Sequence, residues 1–565
     1  MECDVAIIGG GPAGSTAGAL LKKYAPHLKV CILERERFPR DHVGESQLPA
    51  ISSVLEEMGV WSKVEAANFP VKIGATYRWG RTPELWDFEF LPNGIFTPEQ
   101  RPALYAGQRL RTAFQVDRAV YDKILLDHAA SLGCVVKQEK SVTEVRKNGD
   151  LVTGLILNDE SEVTARHYVD ASGHSGIVRR AMGVAVEYPT ALQNIAIWDY
   201  WQNADWEVEI GVGGTRVQVL SLPYGWIWFI PLGPNRTSIG LIVPASYYKE
   251  HGRRPEELYL EAIHSDPKVS ALILNATREQ KLSTTKDWSF VAERLTGENW
   301  YLAGESAGFA DPILAAGMTL AHYGARDVAY MILAMERKDY EPDWLRDFYC
   351  STHRSQIKQH IRFADFWYTH NGIFSDLKDH AQTIAAEAGL NMSSDDAWRW
   401  LGQGGFIERN SQTSIGAYGL LMAKELVGTF TGGQPYFEIE GKTHFVLNLE
   451  GAEKTWTADM EKGRITRHRM YKRNGKILPL VGVMAWVAQM LKYERSFPDL
   501  VAEAEKYRVE KQLGDPQLAG FWTDIIKCLE ALIGDGWVIA RVGEGSEPLP
   551  PPSTDFSAYL HAHER

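Results

Sequence analysis

The sequence predicts an α/β protein with an inserted antiparallel β-sheet and a mainly helical C-terminal region. Three observations support this fold class. The chain opens as strand, glycine turn, helix and strand; residues from about 186 to 285 alternate apolar and polar side chains with a period of two; residues from about 340 to 430 follow a helical pattern. A chain of 565 residues is too long for one compact core, so two or three domains are expected.

The opening segment carries the strongest local signal. Residues 4–14 (DVAIIGGGPAG) join an apolar run to a glycine turn, and a second apolar run after the helix is closed by Glu34. In such a unit Gly9 permits the tight turn, Gly11 lets a pyrophosphate approach the backbone, and Gly14 lets the helix pack on the strand. The helix N-terminus attracts phosphate, and Glu34 can accept hydrogen bonds from a ribose. This Rossmann-type unit predicts dinucleotide binding rather than a chance glycine-rich turn.

Two segments beyond this unit lie where a bound dinucleotide would extend. One is a loop with Arg40 and the pair Glu45–Ser46, and the other is a predicted helix over 115–126 with Arg118 in its first turn. Both arginines also suit plain ion pairs, but their positions favour contact with the cofactor.

The inserted sheet contains an aromatic strand, 224–231 (YGWIWFIP). Alternate residues of a strand face the same side, so Trp226 and Trp228 share a face. On its own, this pattern fits two tryptophans in a sheet core equally well. The 18 Trp residues of the chain leave the same two alternatives open, an aromatic-lined site or broad sheets with many buried indoles.

A second glycine turn follows the sheet. The predicted strand 300–303 leads into 304–312 (GESAGFADP), and a long helix is expected from about 314 to 336, beginning among Ala315, Ala316 and Gly317. The predicted cofactor domain is discontinuous and comprises residues 1–185 and 286–345, with sheet segments near 70–115. An antiparallel-sheet substrate domain is predicted over 186–285 and a helical lid over 346–434. A C-terminal α+β domain over 435–542 and a flexible tail over 543–565 follow.

Composition excludes several classes of protein. The net charge of −12 argues against nucleic acid and against an anionic membrane surface. Five scattered cysteines without metal-ligand spacing predict a reduced, cytoplasmic protein without a disulfide framework. No signal peptide is expected, and the longest later apolar stretch, 477–491, is too interrupted to span a bilayer. The histidines between 353 and 370 lack metal-site spacing, so no metal is expected.

The order of these motifs resembles the group A flavin monooxygenases, and more specifically the flavin-dependent halogenases. The halogenase signature Trp-x-Trp-x-Ile-Pro is present as Trp226, Trp228, Ile230 and Pro231, and the early lysine of that family is present as Lys72. The segments 69–74 (FPVKIG) and 38–46 are similar to the subgroup acting on phenolic or carrier-tethered acyl substrates. The resemblance covers residues 1 to about 380 well.

The resemblance implies a halogenase chemistry. Reduced FAD and oxygen would form a C4a-hydroperoxide, which a chloride or bromide ion attacks to give hypohalous acid. Lys72 would hold the hypohalous acid against an electron-rich aromatic or carrier-tethered substrate, while Trp226 and Trp228 separate the flavin from the tunnel and exclude water. A separate NAD(P)H-dependent flavin reductase is the expected partner, because the chain shows one dinucleotide fingerprint.

The expected site residues form three sets. The catalytic set is Lys72, Trp226 and Trp228, and backbone amides of Ala316 and Gly317 would bind the halide. The residues expected to bind the cofactor are Gly9, Gly11, Ala13, Gly14, Glu34, Arg35, Arg40, Glu45, Ser46, Arg118, Gly304, Glu305, Pro312, Ala316, Gly317 and Met318.

Two positions depart from the family pattern. Glu305 stands where the family has Asp, and Ala315 stands where it has Ser, which removes a hydroxyl donor beside the halide. A hydrogen bond to a charged group contributes roughly 1.5–3 kcal/mol. Ala315 therefore motivates a second hypothesis, an FAD-dependent hydroxylase of an aromatic substrate without halide. A flavin-holding assembly protein is the third, non-enzymatic hypothesis.

Overall fold

The computed structural model describes residues 1–79, 85–91, 96–189, 193–206, 214–369, 437–474, 476–480, 482–511, 515–543 and 560–562. These residues fall into two compact units. One comprises the described residues of Met1–Leu377, Met460–Ile465 and Ser557–Arg565, and the other those of Lys378–Asp459 and Thr466–Phe556.

The strands of the first unit include two large sheets. In chain order they are β1 (Val5–Ile8), β2 (Val30–Leu33), β3 (Val71–Arg78), β4 (Trp86–Glu89), β5 (Ala113–Phe114), β6 (Val135–Lys137), β7 (Val142–Asn148), β8 (Leu151–Leu157), β9 (Glu162–Val163), β10 (His167–Asp170), β11 (Val186–Glu187), β12 (Gln193–Gln202), β13 (Gly214–Leu222), β14 (Gly225–Pro231), β15 (Arg236–Pro244), β16 (Thr277–Arg278), β17 (Ser283–Trp288), β18 (Phe290–Ala292), β19 (Trp300–Leu302) and β20 (Gly308–Phe309).

Ten α-helices accompany these strands in the described part of the first unit. They are α1 (Pro12–Tyr24), α2 (Ala50–Met58), α3 (Trp61–Ala66), α4 (Arg118–Ser131), α5 (Ile177–Ala181), α6 (Ala245–His251), α7 (Pro255–Ser265), α8 (Pro267–Leu272), α9 (Gly317–Arg337) and α10 (Pro342–Thr369).

The cofactor-type sheet is parallel, and its central strands are buried. Its order is β19-β10-β1-β2-β6, and every residue of β1 and β2 is buried, as their continuous apolar sequence predicts. The α/β fold class expected from the opening motif is therefore confirmed.

The larger sheet follows the order β16-β12-β15-β14-β13-β3-β4, with β17 paired to β12 and β5 to β3. One of its faces packs on α7 and α8 through a cluster of buried apolar residues that includes Ile227, Phe229 and Leu258. The opposite face carries the two tryptophans of the aromatic strand. Because successive side chains of a strand point to opposite sides, one face of the sheet packs into the apolar core and the other face carries Trp226 and Trp228.

The second unit contains strands β21 (His444–Leu447), β22 (Glu453–Glu461), β23 (Arg464–Arg473), β24 (Lys476–Pro479), β25 (Arg495–Ser496) and β26 (Val538–Arg541), and helices α11 (Gly482–Met490), α12 (Phe497–Lys511) and α13 (Asp515–Gly534). Its core contains Phe445, Leu491, Leu529 and Trp537. Residues 460–465, within the β22–β23 hairpin, cluster with the first unit. A last strand, β27 (Leu560–Ala562), pairs with β4 inside the segment predicted as a tail.

The structure corrects one expectation from the sequence, the start of the long helix. The long helix begins at Gly317 rather than near residue 314, because Ala315 adopts a left-handed conformation with φ of 54° that a helix cannot contain. The part of the predicted lid from 370 to 434 and most of the predicted tail lie outside the described residues, and the predicted domain boundaries stay predictions.

Among the helices that the structure describes, none combines the length and the apolar character needed to cross a membrane.

Candidate active site

The first glycine turn has the geometry that a dinucleotide requires. Gly9 has a φ of 103°, and a Cβ on Gly14 would overlap the carbonyl oxygen of Gly9, so a larger residue cannot replace Gly14. Glu34 closes the neighbouring strand and accepts a hydrogen bond from the amide of Gly10 at 2.6 Å. Helix α1 starts after Gly11 without a side-chain cap, which leaves its first amides for an anion.

The two arginines differ in what they contact. Arg40 Nη2 lies 3.6 Å from the position that a Cβ on Gly11 would occupy, and its Nη1 lies 3.2 Å from Asp122. Arg118 is buried; it donates to Asp122 at 2.7 Å and to the carbonyl oxygens of Val43 and Gly44 at 2.9 and 3.0 Å. Arg40 therefore faces the turn, whereas Arg118 holds the adjoining loop in place.

The loop after this turn brings one carboxyl group into the interior. Glu45 is buried and accepts a hydrogen bond from Tyr200 at 2.9 Å; burial raises its pKa to about 7. Ser46, next in the chain, is also buried. Arg35 instead lies at the surface, where it donates to Ser175 at 3.2 Å.

The second glycine turn packs against the first. Gly304 has a φ of 66°, and a Cβ there would lie 3.1 Å from the Cβ of Ala13. Glu305 follows in a 3₁₀ turn, Gly304–Ser306, and its carboxylate lies near Gly173. The two glycine turns, 290 residues apart in the chain, thus lie side by side.

Helix α9 begins in a geometry suited to an anion. A 3₁₀ turn, Pro312–Leu314, ends at Ala315, whose own amide donates to the carbonyl of Pro312 at 2.9 Å. Ala316 precedes the helix, and no side chain in the described part of the chain caps the start at Gly317 and Met318. Backbone amides at this end are therefore available to a halide or a flavin oxygen.

Lys72 owes its direction to a β-bulge. Lys72 pairs with Thr215, and Gly74 pairs with Arg216, so Ile73 is an extra residue in β3. A bulge of this kind changes the side of the sheet on which the following or preceding side chain lies. Without it, Lys72 would lie on the same face as Gly74.

The bulge places Lys72 on the face that carries the tryptophans. Thr215 and Val219 lie on one face of β13, because they are separated by an even number of residues. Val219 pairs with Trp228, and Trp226 lies two residues before it on the same side. The three residues expected to be catalytic therefore share one face of the sheet, with the indole rings 6.1 Å apart.

The ammonium group of Lys72 is isolated from water. Lys72 is 2% exposed, its Nζ donates to the carbonyl oxygen of Gln47 at 2.9 Å and lies 5.5 Å from the ring centre of Phe90. Burial lowers the pKa of Lys72 to about 7. At neutral pH a large fraction of this amine is therefore unprotonated and nucleophilic.

A buried polar cluster joins the tryptophans to the second turn, and sequence reasoning did not find it. Trp226 Nε1 donates to Tyr368 Oη at 2.8 Å, and Tyr368 donates to Asp311 at 3.1 Å. Asn194 Nδ2 lies 3.4 Å from both Tyr368 and Asp311. Burial raises the pKa of Asp311 to about 7. These residues come from four separate segments, and no local pattern links them.

Within the described ranges, no group of three or more His, Cys, Asp or Glu side chains is placed to hold a metal ion. The paired glycine turns, the uncapped helix starts and Glu34 fit an adenine dinucleotide with a flavin.

Comparison with known proteins agrees with this geometry. A family model described as an FAD binding domain matches residues 2–364. The chain is 31% identical over 389 residues to the 1H-pyrrole-2-carbonyl-(peptidyl-carrier protein) chlorinase of Pseudomonas fluorescens, over 66% of this chain and 85% of that protein. The chain belongs to the flavin-dependent halogenases.

A further relative supports the assignment, and a solved structure shares the fold. The tryptophan 2-halogenase of Chondromyces crocatus is 29% identical over 402 residues, which are 69% of this chain and 73% of that protein. The crystal structure of CmlS, a flavin-dependent halogenase, shares the fold with a TM-score of 0.72 at 24% identity, over 99% of this chain and 100% of that chain.

The halogenase is therefore an enzyme that uses FAD and a halide. The relatives are named halogenases, so the halogenase hypothesis is confirmed over the hydroxylase and the assembly protein. The individual roles expected for the site residues stay predictions.

Proposed function

We propose that this halogenase transfers halogen through Lys72 to an electron-rich aromatic acyl group that a carrier protein holds as a thioester. The buried amine of Lys72 on the face of the sheet that carries the two tryptophans is the observation that supports the proposal. Two relatives are named for pyrrolyl groups on a peptidyl carrier protein, a chlorinase and a brominase.

Bound reduced FAD supplies the activation of oxygen that oxidises the halide. The protein's own contribution begins with the amides at the start of α9, which hold the anion by their positive dipole end. Trp226 and Trp228 exclude water from the path to Lys72. The lone pair of neutral Lys72 then attacks the halogen of hypohalous acid; the oxygen–halogen bond breaks, and hydroxide leaves with the amine proton as water.

The resulting haloamine donates halogen to the substrate ring. A carbon–halogen bond forms, the nitrogen–halogen bond breaks, and the ring proton returns to Lys72. We further propose that reduced FAD comes from a separate flavin reductase, since one dinucleotide-binding turn is present in the described residues.

The test compares a carrier-tethered pyrrolyl thioester with free aromatics, including tryptophan and phenols. Holoenzyme receives reduced FAD, oxygen and bromide or chloride, and products are read by mass spectrometry. We expect kcat/KM to be at least tenfold higher for the tethered substrate. Equal or higher kcat/KM for a free aromatic would refute the carrier-tethered assignment while leaving the halogenase intact.

A further inference from the structure

The segments that contain Ser46, Gln115 and Pro70 are paired side by side next to Lys72. Residues Ser46 and Gln115 form an antiparallel bridge, and the amide of Gln115 donates to the carbonyl oxygen of Pro70 at 3.0 Å. Lys72 pairs with Ala113 across the same strands. Paired residues lie on one face of a sheet, and so do residues two apart, so Ser46, Gln115 and Lys72 share a face.

The small side chain of Ala113 lets Lys72 reach across β5. The acceptor of its Nζ is the carbonyl oxygen of Gln47, on the far side of that strand, at 2.9 Å. The reacting nitrogen therefore ends beside the segment that carries Ser46. The backbone of Lys72 belongs to β3, but its Nζ contacts the segment on the other side of β5.

Two polar groups on this face have no hydrogen-bond partner among the described residues. Gln115 is fully buried, and neither its amide nitrogen nor its amide oxygen is paired. The hydroxyl of Ser46, 8% exposed, is also unpaired. Buried polar groups without partners are unfavourable for folding and are rare, so such a pair beside a reactive amine indicates a ligand.

We propose that the amide of Gln115 and the hydroxyl of Ser46 bind hypohalous acid next to Lys72, an inference that rests on the proposed function and assigns Ser46 to the oxidant instead of the flavin. Hypohalous acid is small and neutral, with one O–H donor and an oxygen acceptor. A primary amide offers both a donor and an acceptor, which matches it.

The same groups leave the oxidant intact. An amide nitrogen is far less nucleophilic than a neutral amine, because its lone pair is delocalised into the carbonyl. Hypohalous acid held by Gln115 therefore keeps its oxygen–halogen bond until the lone pair of Lys72 attacks the halogen. Water is released in that step and haloamine is formed, with no additional oxidant or reductant.

The test measures how much hypohalous acid reacts with Lys72 and how much escapes into solution. Gln115→Leu removes the amide at similar volume, Gln115→Asn keeps it one methylene shorter, and Gln100→Leu makes the same change at an exposed position. Each FAD-loaded variant is reduced, mixed with oxygen and bromide without substrate, and quenched. Mass spectrometry quantifies haloamine at Lys72, and a thioether probe in solution quantifies escaped hypobromite.

We expect Q115L to lower the ratio of haloamine to escaped hypobromite about tenfold, the effect of losing one hydrogen bond. Q115N should retain a ratio between those of Q115L and wild type, and Q100L should match wild type. An unchanged ratio in Q115L holoenzyme would overturn the inference, and so would an effect confined to loss of FAD. If wild type forms neither haloamine nor hypobromite, the proposed function falls and this inference with it.

Discussion

Substitution of Lys72 by methionine should abolish halogenation and stabilise the protein. Lowering the pKa of Lys72 from 10.5 to about 7 corresponds to about 5 kcal/mol of unfolding free energy lost below pH 7, at about 1.36 kcal/mol per pKa unit. Methionine removes this loss but leaves the Gln47 carbonyl without its donor, which costs about 1–3 kcal/mol. The net gain at pH 7 is then about 2–4 kcal/mol.

The pH dependence of the stability difference between K72M and wild type shows whether burial of the lysine causes it. Between pH 7 and 10.5 the unfolded chain binds a proton at Lys72 that the folded protein does not, so the stability of wild type rises with pH in that window. The advantage of K72M should therefore fall by about 1.4 kcal/mol per pH unit there, and vanish near pH 9.

Urea unfolding followed by tryptophan fluorescence at pH 6.5, 8 and 9 measures the difference in unfolding free energy between K72M and wild type. Lys137→Met, at an exposed strand position, is the matched control and should change stability by less than about 0.5 kcal/mol. An advantage for K72M that is the same at every pH, or no advantage at pH 6.5, would show that the lysine is not kept neutral by burial.

Three further changes test other parts of the site. Gly14→Ala would place its Cβ on the carbonyl oxygen of Gly9, so the purified protein should lose most of its FAD, read from its absorbance; normal FAD content would contradict the turn geometry. Tyr368→Phe leaves Trp226 Nε1 without its acceptor and should lower the free energy of unfolding by about 1–3 kcal/mol, measured by urea unfolding, while an unchanged value would mean that the cluster is not formed. Ala315→Ser restores a hydroxyl beside the start of α9 and should lower the KM for halide by about tenfold, with an unchanged KM as the contrary result.

The sequence predicts local structure well where the motif is contiguous. The opening glycine turn, β1, β2 and Glu34 are where the pattern places them, because each part of that unit is fixed by neighbours within about 30 residues. The shared face of Trp226 and Trp228 follows from strand periodicity alone.

Features that depend on distant pairing could not be predicted. The extra residue Ile73, which turns Lys72 to the tryptophan face, shows only when β3 is aligned with β13. Tyr368 and Asp311 are 57 residues apart and meet only in the folded chain. Likewise, the lysine motif gave the position of Lys72 but not its burial, which determines its pKa.

The most direct test of the central claim is a stopped-flow comparison of reduced wild-type and K72M holoenzymes mixed with oxygen, with and without bromide. Flavin reoxidation is followed by absorbance, and quenched samples are analysed for halogen on the protein by mass spectrometry. We predict that bromide accelerates reoxidation equally in both proteins, and that one bromine appears at Lys72 in wild type while K72M only releases hypobromite. Reoxidation that is indifferent to bromide, or bromination of wild type at residues other than Lys72, would contradict the account.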